Sequence, residues 1–473
     1  MTVTDTRTPP GAVVRDRAPA ALTAGAVALV SLVAFEALAV STVMPAVAAA
    51  LDGLAVYALG FGAPLAASVA GMAVAGAWAD ARGPRRPLLA SVLLFCAGLV
   101  VAGTATSMAV FVTGRAVQGL GGGMLTVALY AMLGTLVPEP ARPRMLAAFA
   151  AAWVLPAMVG PTIAGALAAA AGWRSVFLVV PALAVPALAL TLYAVRDADR
   201  VVPDEPADGA AGREAGGGRT ALARVGLAVV AGTAAAALQV AGARDGVLAR
   251  LAALAALGIV LAAAARLLPA GTFRLRRGLP SVLALRGLLA AGFTAGETFV
   301  PLLLVREHGW SPARAGVALT VGAFAWSATS WLQGRVPEVA RRYSYARTGA
   351  VLLLAGVAVA LVAALPGASG LFAVAGWLLT GAGMGLAYAS TSLLSLHLSP
   401  ADRTGETSSA LTTSEALTSA VVLAAAGALF AALLPARLGA DDPAGPAPYL
   451  AGFAVAVVAS AAAVLASRRL RSA

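Results

Sequence analysis

The sequence contains few charged residues and no lysine. Charged residues make up 11% of its 473 positions, all 33 basic residues are arginine, and the formal net charge is +12. Soluble domains carry about 25% charged residues, whereas hydrophobic residues here reach 60% and the mean hydropathy is +0.89. This composition excludes an ordinary water-soluble domain and indicates a chain that is solvated largely by lipid.

Cysteine and histidine are almost absent. Cys96 is the single cysteine, and His308 and His397 are the only histidines. These numbers exclude a disulfide framework and a metal cluster built on Cys or His. The glycine-rich stretch 119–123 lies inside an apolar run and lacks the Lys and Ser/Thr of a phosphate-binding loop. We therefore expect no cofactor, no metal site and no enzymatic activity.

Long apolar runs are abundant. A bilayer core about 30 Å thick needs about 20 apolar residues per helix. The apolar runs here are continuous, whereas the strands of a membrane barrel alternate apolar and polar residues, so the runs favour helices. The first run is far longer than a signal-peptide core and contains Glu36, so it is interpreted as a retained span. Fourteen spans are predicted in total: 21–50, 54–79, 87–107, 109–137, 145–171, 174–195, 221–241, 247–268, 280–304, 313–333, 346–365, 370–397, 407–434 and 448–467.

The predicted spans group as six, two and six, and the fold class is all-α integral membrane. A polar stretch with two prolines and three consecutive glycines is typical of a flexible linker. Alternatively, the middle pair forms a re-entrant or surface element, which leaves the polarity of both halves unchanged. The predicted organisation is a tail 1–20, a six-helix bundle 21–195, a linker 196–219, two extra helices 220–270, a second six-helix bundle 271–467 and a tail 468–473.

The arginines indicate the orientation of the chain. An even number of spans puts both termini on one side, and the clusters near Arg82, Arg142, Arg274 and Arg341 fall on that same side. Short cytoplasmic loops hold an excess of arginine, so both termini are expected in the cytoplasm. Clusters between apolar runs report orientation rather than nucleic-acid binding. The Ala-, Gly- and Arg-rich composition favours a GC-rich bacterium, and thus a multi-pass protein of the bacterial inner membrane.

A loop pattern recurs in the two halves. Repeated halves related by an axis along the membrane normal are a known plan for transporters, with the substrate near the midplane. Chance agreement of two basic loops is the alternative. The first loop contains Gly76, Asp80, Arg82, Gly83, Arg85 and Arg86, and the later one contains Gly334, Glu338, Arg341 and Arg342.

Four motifs of the first half appear in one order. The first loop resembles the signature loop of the major facilitator superfamily, with Ala81 in place of an arginine, and the segment from Glu36 to Pro45 is similar to an Asp-x-Thr-Ile-Val-Asn-Val-Ala-Leu-Pro segment of the fourteen-span drug:proton antiporters. The third motif resembles Arg-x-x-Gln-Gly-x-Gly and contains Arg115, Gln118, Gly119 and Gly121. The fourth resembles the antiporter motif and contains Gly160, Pro161 and Gly165, with Pro156 and Ala164 at positions where glycine is usual.

Ionisable residues inside the spans are functional candidates, because a charge at mid-bilayer costs about 2.5 to 3.5 kcal/mol on insertion scales. An apolar environment favours the neutral form of the Glu36 carboxyl group, whereas a nearby arginine favours the charged form, and the family resemblance implies that this arginine is Arg115. Glu36 is therefore expected to exchange protons. Glu297 is expected to recognise a cation or to be a second protonation site. The resemblance implies a conformational or proton-relay role for Arg115, with a structural arginine bonded to carbonyls as the alternative. For Glu36 the alternatives are a fixed structural ion pair and a helix-end carboxyl group that reaches water. The predicted substrate cavity is formed by Glu36, Gln118, Thr294, Glu297 and Glu415, and helix packing is the alternative for Glu415.

The resemblance also implies two conformational elements. Asp80 and the arginines after it are expected to form a gating latch, with simple topogenic charge as the alternative. Gly160 and Pro161 permit a bend in the fifth span, with a functionless kink as the alternative.

The resemblance implies a secondary active transporter that exports lipophilic small molecules in exchange for protons by alternating access. Its partners are a small-molecule substrate, protons and the lipid bilayer, with no nucleic acid, and we expect a monomer. Two alternatives are an exporter of a lipid or an endogenous metabolite, and a membrane sensor or scaffold that does not transport.

Overall fold

The computed structural model describes residues 17–137, 141–195, 214–244, 246–336, 338–400, 403–435, 439 and 442–470, and within these ranges the chain is helical without strands. A short 3-10 turn at Leu54–Val56 precedes the second helix. The helices are α1 Arg17–Ala50, α2 Leu59–Arg82, α3 Arg85–Gly103, α4 Met108–Leu136, α5 Arg142–Ala171, α6 Trp173–Val195, α7 Glu214–Gly242, α8 Val247–Leu267, α9 Leu279–Arg306, α10 Pro312–Gly334, α11 Val339–Val362, α12 Leu371–His397, α13 Thr404–Ala432 and α14 Pro446–Ser467.

All fourteen of these helices are long and apolar enough to cross a membrane. Each predicted span coincides with one helix, because in lipid every backbone group must be satisfied within its own helix and the helix continues as far as the apolar run. The helix α7 begins at Glu214, so it includes the glycines 216–218 that the sequence placed in a linker, although its apolar span starts only at Val225. Most of that linker, 196–213, lies outside the described residues.

Turns at the helix ends use residues suited to them. Gly83 ends α2 at φ 75° and Gly172 joins α5 to α6 at φ 77°, backbone conformations that favour glycine. The Ser107 and Ser311 hydroxyls accept hydrogen bonds from backbone N–H groups in the first turns of α4 and α10, at 3.4 and 3.3 Å. Such caps satisfy N–H groups that have no partner inside the helix.

The first six and the last six helices pack in the same pattern. In the first bundle α1 contacts α5 and α6, and α4 contacts α2 and α3. In the second bundle the equivalent contacts are α9 with α13 and α14, and α12 with α10 and α11. The repeat suggested by two loops therefore extends to whole bundles. The side of the molecule where α1 begins and α14 ends is called the termini side, and the other the far side.

Glycines bring neighbouring helices close together. A Cβ atom at Gly383 of α12 would lie 2.6 Å from the Gly349 carbonyl oxygen of α11, a distance that real Cβ atoms do not show. A Cβ atom at Gly114 of α4 would lie 2.5 Å from the backbone nitrogen of Ala102 in α3. Close backbone approach of this kind is how membrane helices gain van der Waals contact in the absence of a hydrophobic driving force.

Candidate transport site

A buried charged group connects α1 and α4 within the first bundle. Arg115 Nη1 forms an ion pair with Glu36 Oε1, and Gln118 Nε2 donates to Glu36 Oε2 at 2.9 Å. Arg115 Nε donates to the Gly60 carbonyl oxygen of α2 at 3.1 Å. The three side chains are 4 to 5% exposed. The structure thus brings together Glu36, Arg115 and Gln118 from two separate motifs.

Gly119 of α4 lets α2 approach this ion pair closely. A Cβ atom at Gly119 would overlap the Pro64 backbone, so α2 lies directly against α4 and its Gly60 carbonyl comes within reach of Arg115. Both charges are sealed from solvent and compensate each other. The Gln118 Oε1 atom is buried and has no hydrogen-bond partner among the described residues.

Glu297 lies at the contact between the two bundles. It is partly buried on α9, and the Ser41 side chain of α1 lies close to its carboxyl group. Thr294 is half-buried one turn earlier and its carbonyl oxygen accepts from the Thr298 hydroxyl at 2.8 Å. No arginine of the described ranges forms an ion pair with Glu297. This carboxyl group differs from Glu36 because it has no ionic partner in those ranges.

Glu415 belongs to a second charged group, in the last six helices. Its Oε2 atom accepts from Arg286 Nε at 2.9 Å, and the Tyr388 hydroxyl lies 2.9 and 3.0 Å from its two oxygens. Arg286 Nη1 also donates to the Tyr388 carbonyl oxygen at 2.8 Å and to Ser392 Oγ at 2.9 Å. The Glu415 side chain keeps 29% of its surface exposed, whereas Arg286 keeps 6%. Glu415 is thus paired with an arginine and still partly accessible to solvent.

Arg286 and Tyr388 are the residues that the sequence reasoning missed. Arg286 lies within the predicted span 280–304, so the cost of an intramembrane charge would have been sufficient to select it as a candidate. No sequence signal pairs it with Tyr388 or Glu415, because the three residues belong to α9, α12 and α13.

Aromatic side chains surround this second group. The Arg286 guanidinium lies 3.0 Å from the Tyr388 ring centroid, and the Trp326 ring of α10 lies 5.3 Å from that ring. Phe293 packs edge-on against Trp326 at 5.3 Å and next to Trp377 at 5.2 Å. Rings of this kind offer apolar surface and a negative face that attracts cations.

The predicted gating loop lies on the termini side. Gly76 precedes it in α2, Gly83 ends that helix, and Asp80 is exposed with no hydrogen bond or ion pair to the described residues. The arginines of the loop are exposed as well, namely Arg82, Arg85 and Arg86. In the equivalent loop of the second half, Arg341 pairs with Glu338, and Arg342 Nη1 donates to Gln333 Oε1 at 2.8 Å. In this arrangement Asp80 is unengaged, and its role as a latch stays a prediction.

The predicted antiporter motif forms a contact between the bundles on the far side. A Cβ atom at Gly165 of α5 would lie 2.7 Å from Ala313 Cα of α10, and one at Gly316 would lie 3.1 Å from the Pro161 carbonyl oxygen. Gly160 is buried, with Phe35 the nearest side chain to its would-be Cβ at 3.5 Å. Gly165 and Gly316 therefore permit α5 and α10 to close together on this side.

Comparison with known proteins agrees with this architecture. The family model described as Major Facilitator Superfamily matches residues 26–423. The chain belongs to the major facilitator superfamily. As a member of the superfamily it is a membrane transporter and not an enzyme.

Curated relatives and solved structures agree with membership in the superfamily. The drug efflux pump JefA of Mycobacterium tuberculosis is 33% identical over 158 residues, and the MFS efflux transporter aclA of Aspergillus oryzae is 32% identical over 155 residues. These matches cover 33% of the chain and 30% and 28% of the relatives, so the chain spans less than a third of the relatives' length. A bacterial homologue of the human lysosomal transporter Spinster, inward-facing and unoccupied, shares the fold with a TM-score of 0.67 at 15% identity, covering 96% of this chain and 98% of that one. A D-xylose–proton symporter gives a TM-score of 0.64 at 14% identity, with the same coverage.

Proposed function

We propose that this transporter exports lipophilic small molecules in exchange for protons, by alternating access between the two six-helix bundles. The observation that carries the proposal is Glu297, a partly buried carboxyl group that meets Ser41 of the other bundle and has no ionic partner in the described ranges. The other two intramembrane carboxyl groups, Glu36 and Glu415, are each paired with an arginine.

A proton is the natural counterion for Glu297. An isolated carboxylate in an apolar wall is costly, so it binds a cation or a proton. Because Glu297 lies where the bundles meet, rocking of one bundle against the other changes its surroundings and its access to water on either side. A group that takes up a proton in one arrangement and releases it in the other couples transport to a proton gradient.

Glu36 and Arg115 supply a second step in this proposal. Opening of the pair would expose the carboxylate to protonation, and a protonated Glu36 needs an acceptor for its O–H group. After rotation of the amide, the unpartnered Oε1 atom of Gln118 provides that acceptor. The loop containing Asp80 would then act as the latch of the alternative arrangement, which its exposed and unengaged state permits.

The aromatic side chains of the second bundle and the names of the relatives support the substrate class and the direction. Phe293, Trp326 and Tyr388 lie next to the partly exposed Glu415, an arrangement that suits an amphipathic molecule with an apolar body. Two relatives of similar sequence are named as efflux transporters, which supports export. We place both termini in the cytoplasm, the protein in a bacterial inner membrane and its active form as a monomer.

Proteoliposomes with an imposed pH gradient test this function, with ethidium as the lipophilic probe. We expect wild-type protein and the exposed-loop control Glu338→Gln to move ethidium against its gradient. Glu297→Gln should lose this gradient-driven movement and retain downhill exchange, because the carrier conformations remain but the proton site is gone. If Glu297→Gln concentrates the dye as well as wild type, proton coupling through Glu297 is wrong. Full activity of Glu36→Gln would remove Glu36 from the mechanism in the same way.

A further inference from the structure

The two middle helices bridge the two bundles. The helix α7 packs against α2 of the first bundle and α13 of the second, while α8 packs chiefly on α7. One apolar cluster joins all four helices with α9; its buried members include Ala66, Ala231, Val260, Leu283 and Leu417. The outer face of α8 is open to lipid, with Leu248 82% exposed. The middle pair therefore covers the α2–α13 seam between the bundles.

A buried polar side chain also connects α7 to the second bundle. Gln239 is 3% exposed, and its Nε2 atom donates to the Ala420 carbonyl oxygen of α13 at 2.9 Å. A Cβ atom at Gly62 of α2 would overlap the Gln239 amide, so the side chain occupies a notch that only glycine leaves open. Gln239 thus touches both bundles at once.

The contact of α7 with α2 is tighter than its contact with α13. A Cβ atom at Gly232 of α7 would lie 2.7 Å from the Ala66 carbonyl oxygen of α2, which means that the two backbones are in direct contact. On the other side, a Cβ atom at Gly242 would be 3.5 Å from Ala428 Cβ and 3.8 Å from the Ala424 carbonyl oxygen, which are ordinary spacings.

Packing is also incomplete near the end of α7. A narrow, half-open crevice lies between the ends of α2, α7 and α13. Gln239, Ala243, Leu59, Ala424 and Gly427 are among the residues that line it.

We propose that α7 moves with the first bundle and that Gln239 is a latch, whose hydrogen bond to Ala420 stabilises the arrangement closed on the far side. At that side α2 and α13 meet directly, since a Cβ atom at Gly427 would be 2.5 Å from Ala58 Cβ. Rocking of the bundles must separate this contact. If α7 follows α2, the Gln239–Ala420 bond breaks at the same time, and the buried Gln239 amide loses its acceptor. The latch depends neither on proton coupling nor on the substrate.

Distances between spin labels test both parts of the proposal. Labels are placed on the far side at Ala55 in the short turn before α2, at Arg244 just after α7 and at Ala432, the last residue of α13, in protein whose Cys96 is replaced by Ser. As the far side opens, the Ala55–Ala432 distance grows. We expect the Arg244–Ala432 distance to grow with it and the Arg244–Ala55 distance to stay constant. A constant Arg244–Ala432 distance with a growing Arg244–Ala55 distance would overturn the proposal.

The latch itself is tested by Gln239→Met, which keeps the length of the side chain and removes the amide. The fraction open on the far side should rise about three-fold to ten-fold, the effect of one interhelical hydrogen bond in a membrane. Ser460→Ala is the control, because it removes a buried hydrogen bond within α14 alone, from Ser460 Oγ to the Ala456 carbonyl oxygen at 2.8 Å. If Gln239→Met shifts the fraction no more than Ser460→Ala, Gln239 is not a latch. Loss of folding is monitored separately by size-exclusion elution, and Gln239→Leu then serves as the second variant, expected to open the far side because it has no donor for the Ala420 carbonyl.

Discussion

Three ion pairs of the described residues form a series of increasing exposure, and the series predicts three different energetic effects. The side chains of Arg115 and Glu36 are each 5% exposed, those of Arg286 and Glu415 are 6 and 29% exposed, and those of Arg341 and Glu338 are 61 and 57% exposed. The expected cost of removing the carboxylate falls along this series, because water screens the charge that is left behind.

The magnitudes follow from burial. Glu36→Gln leaves the Arg115 guanidinium in a sealed site with the Gly60 carbonyl oxygen and a neutral amide as acceptors, and breaking a buried pair costs about 3 to 5 kcal/mol. Glu415→Gln should cost about 1 to 2 kcal/mol, since solvent reaches the site and reduces the buried-pair figure. Glu338→Gln is expected to lie within about 0 to 1 kcal/mol, as surface pairs do.

Equilibrium unfolding in mixed micelles measures the three costs, and a double-mutant cycle measures the coupling in each pair. The cycle for the first pair uses Glu36→Gln, Arg115→Gln and the double variant, which should recover most of the single-variant loss because no uncompensated charge remains. The reasoning is refuted if Glu36→Gln costs no more than Glu338→Gln, or if the two single effects in the buried pair are additive.

Three further substitutions have defined outcomes in the same protein. Gly383→Ala places a Cβ atom 2.6 Å from a carbonyl oxygen of α11 and should destabilise the protein by about 1 to 3 kcal/mol in the unfolding assay. Gly226→Ala is the matched control, because no atom lies within 4 Å of the new Cβ, and it should be neutral or stabilising. Equal losses of stability in the two variants would contradict this explanation by packing. Tyr388→Phe removes the hydroxyl that donates to both Glu415 oxygens and should cost about 1 kcal/mol, an effect that must shrink when Glu415→Gln is also present; strict additivity would argue against this bond. Gly165→Leu keeps α5 from closing on α10 and should increase the labelling rate of cysteine probes on the far side, whereas an unchanged rate would show that this contact does not close the bundles.

Much of the architecture was predictable because the bilayer makes hydropathy decisive. A helix in lipid must satisfy its own backbone groups, so each apolar run corresponds to one helix; the predicted span 448–467 became α14, Pro446–Ser467. The start of α7 was not predictable in this way. Outside the apolar region no such constraint links composition to helix ends, and α7 extends back to Glu214 through glycines that looked like a linker.

The candidate site was only partly accessible from the sequence. The cost of an intramembrane charge selected Glu36, Arg115, Glu297 and Glu415 one at a time, and the family motifs suggested that the first two are partners. The partner of Glu415 was missed, because Arg286 is 129 positions away and no pattern in the sequence indicates that α9 contacts α13.

The sequence alone predicted a membrane protein with fourteen spans and suggested a repeated half, because burial in lipid depends on local composition and length. Tertiary structure decided which charges compensate each other, that Glu297 lies against Ser41 of the other bundle, and that Gln239 occupies the seam between α2 and α13. Those relations depend on close approach of backbones from distant parts of the chain, at glycines such as Gly62 and Gly119, and hydropathy does not encode which glycine meets which helix.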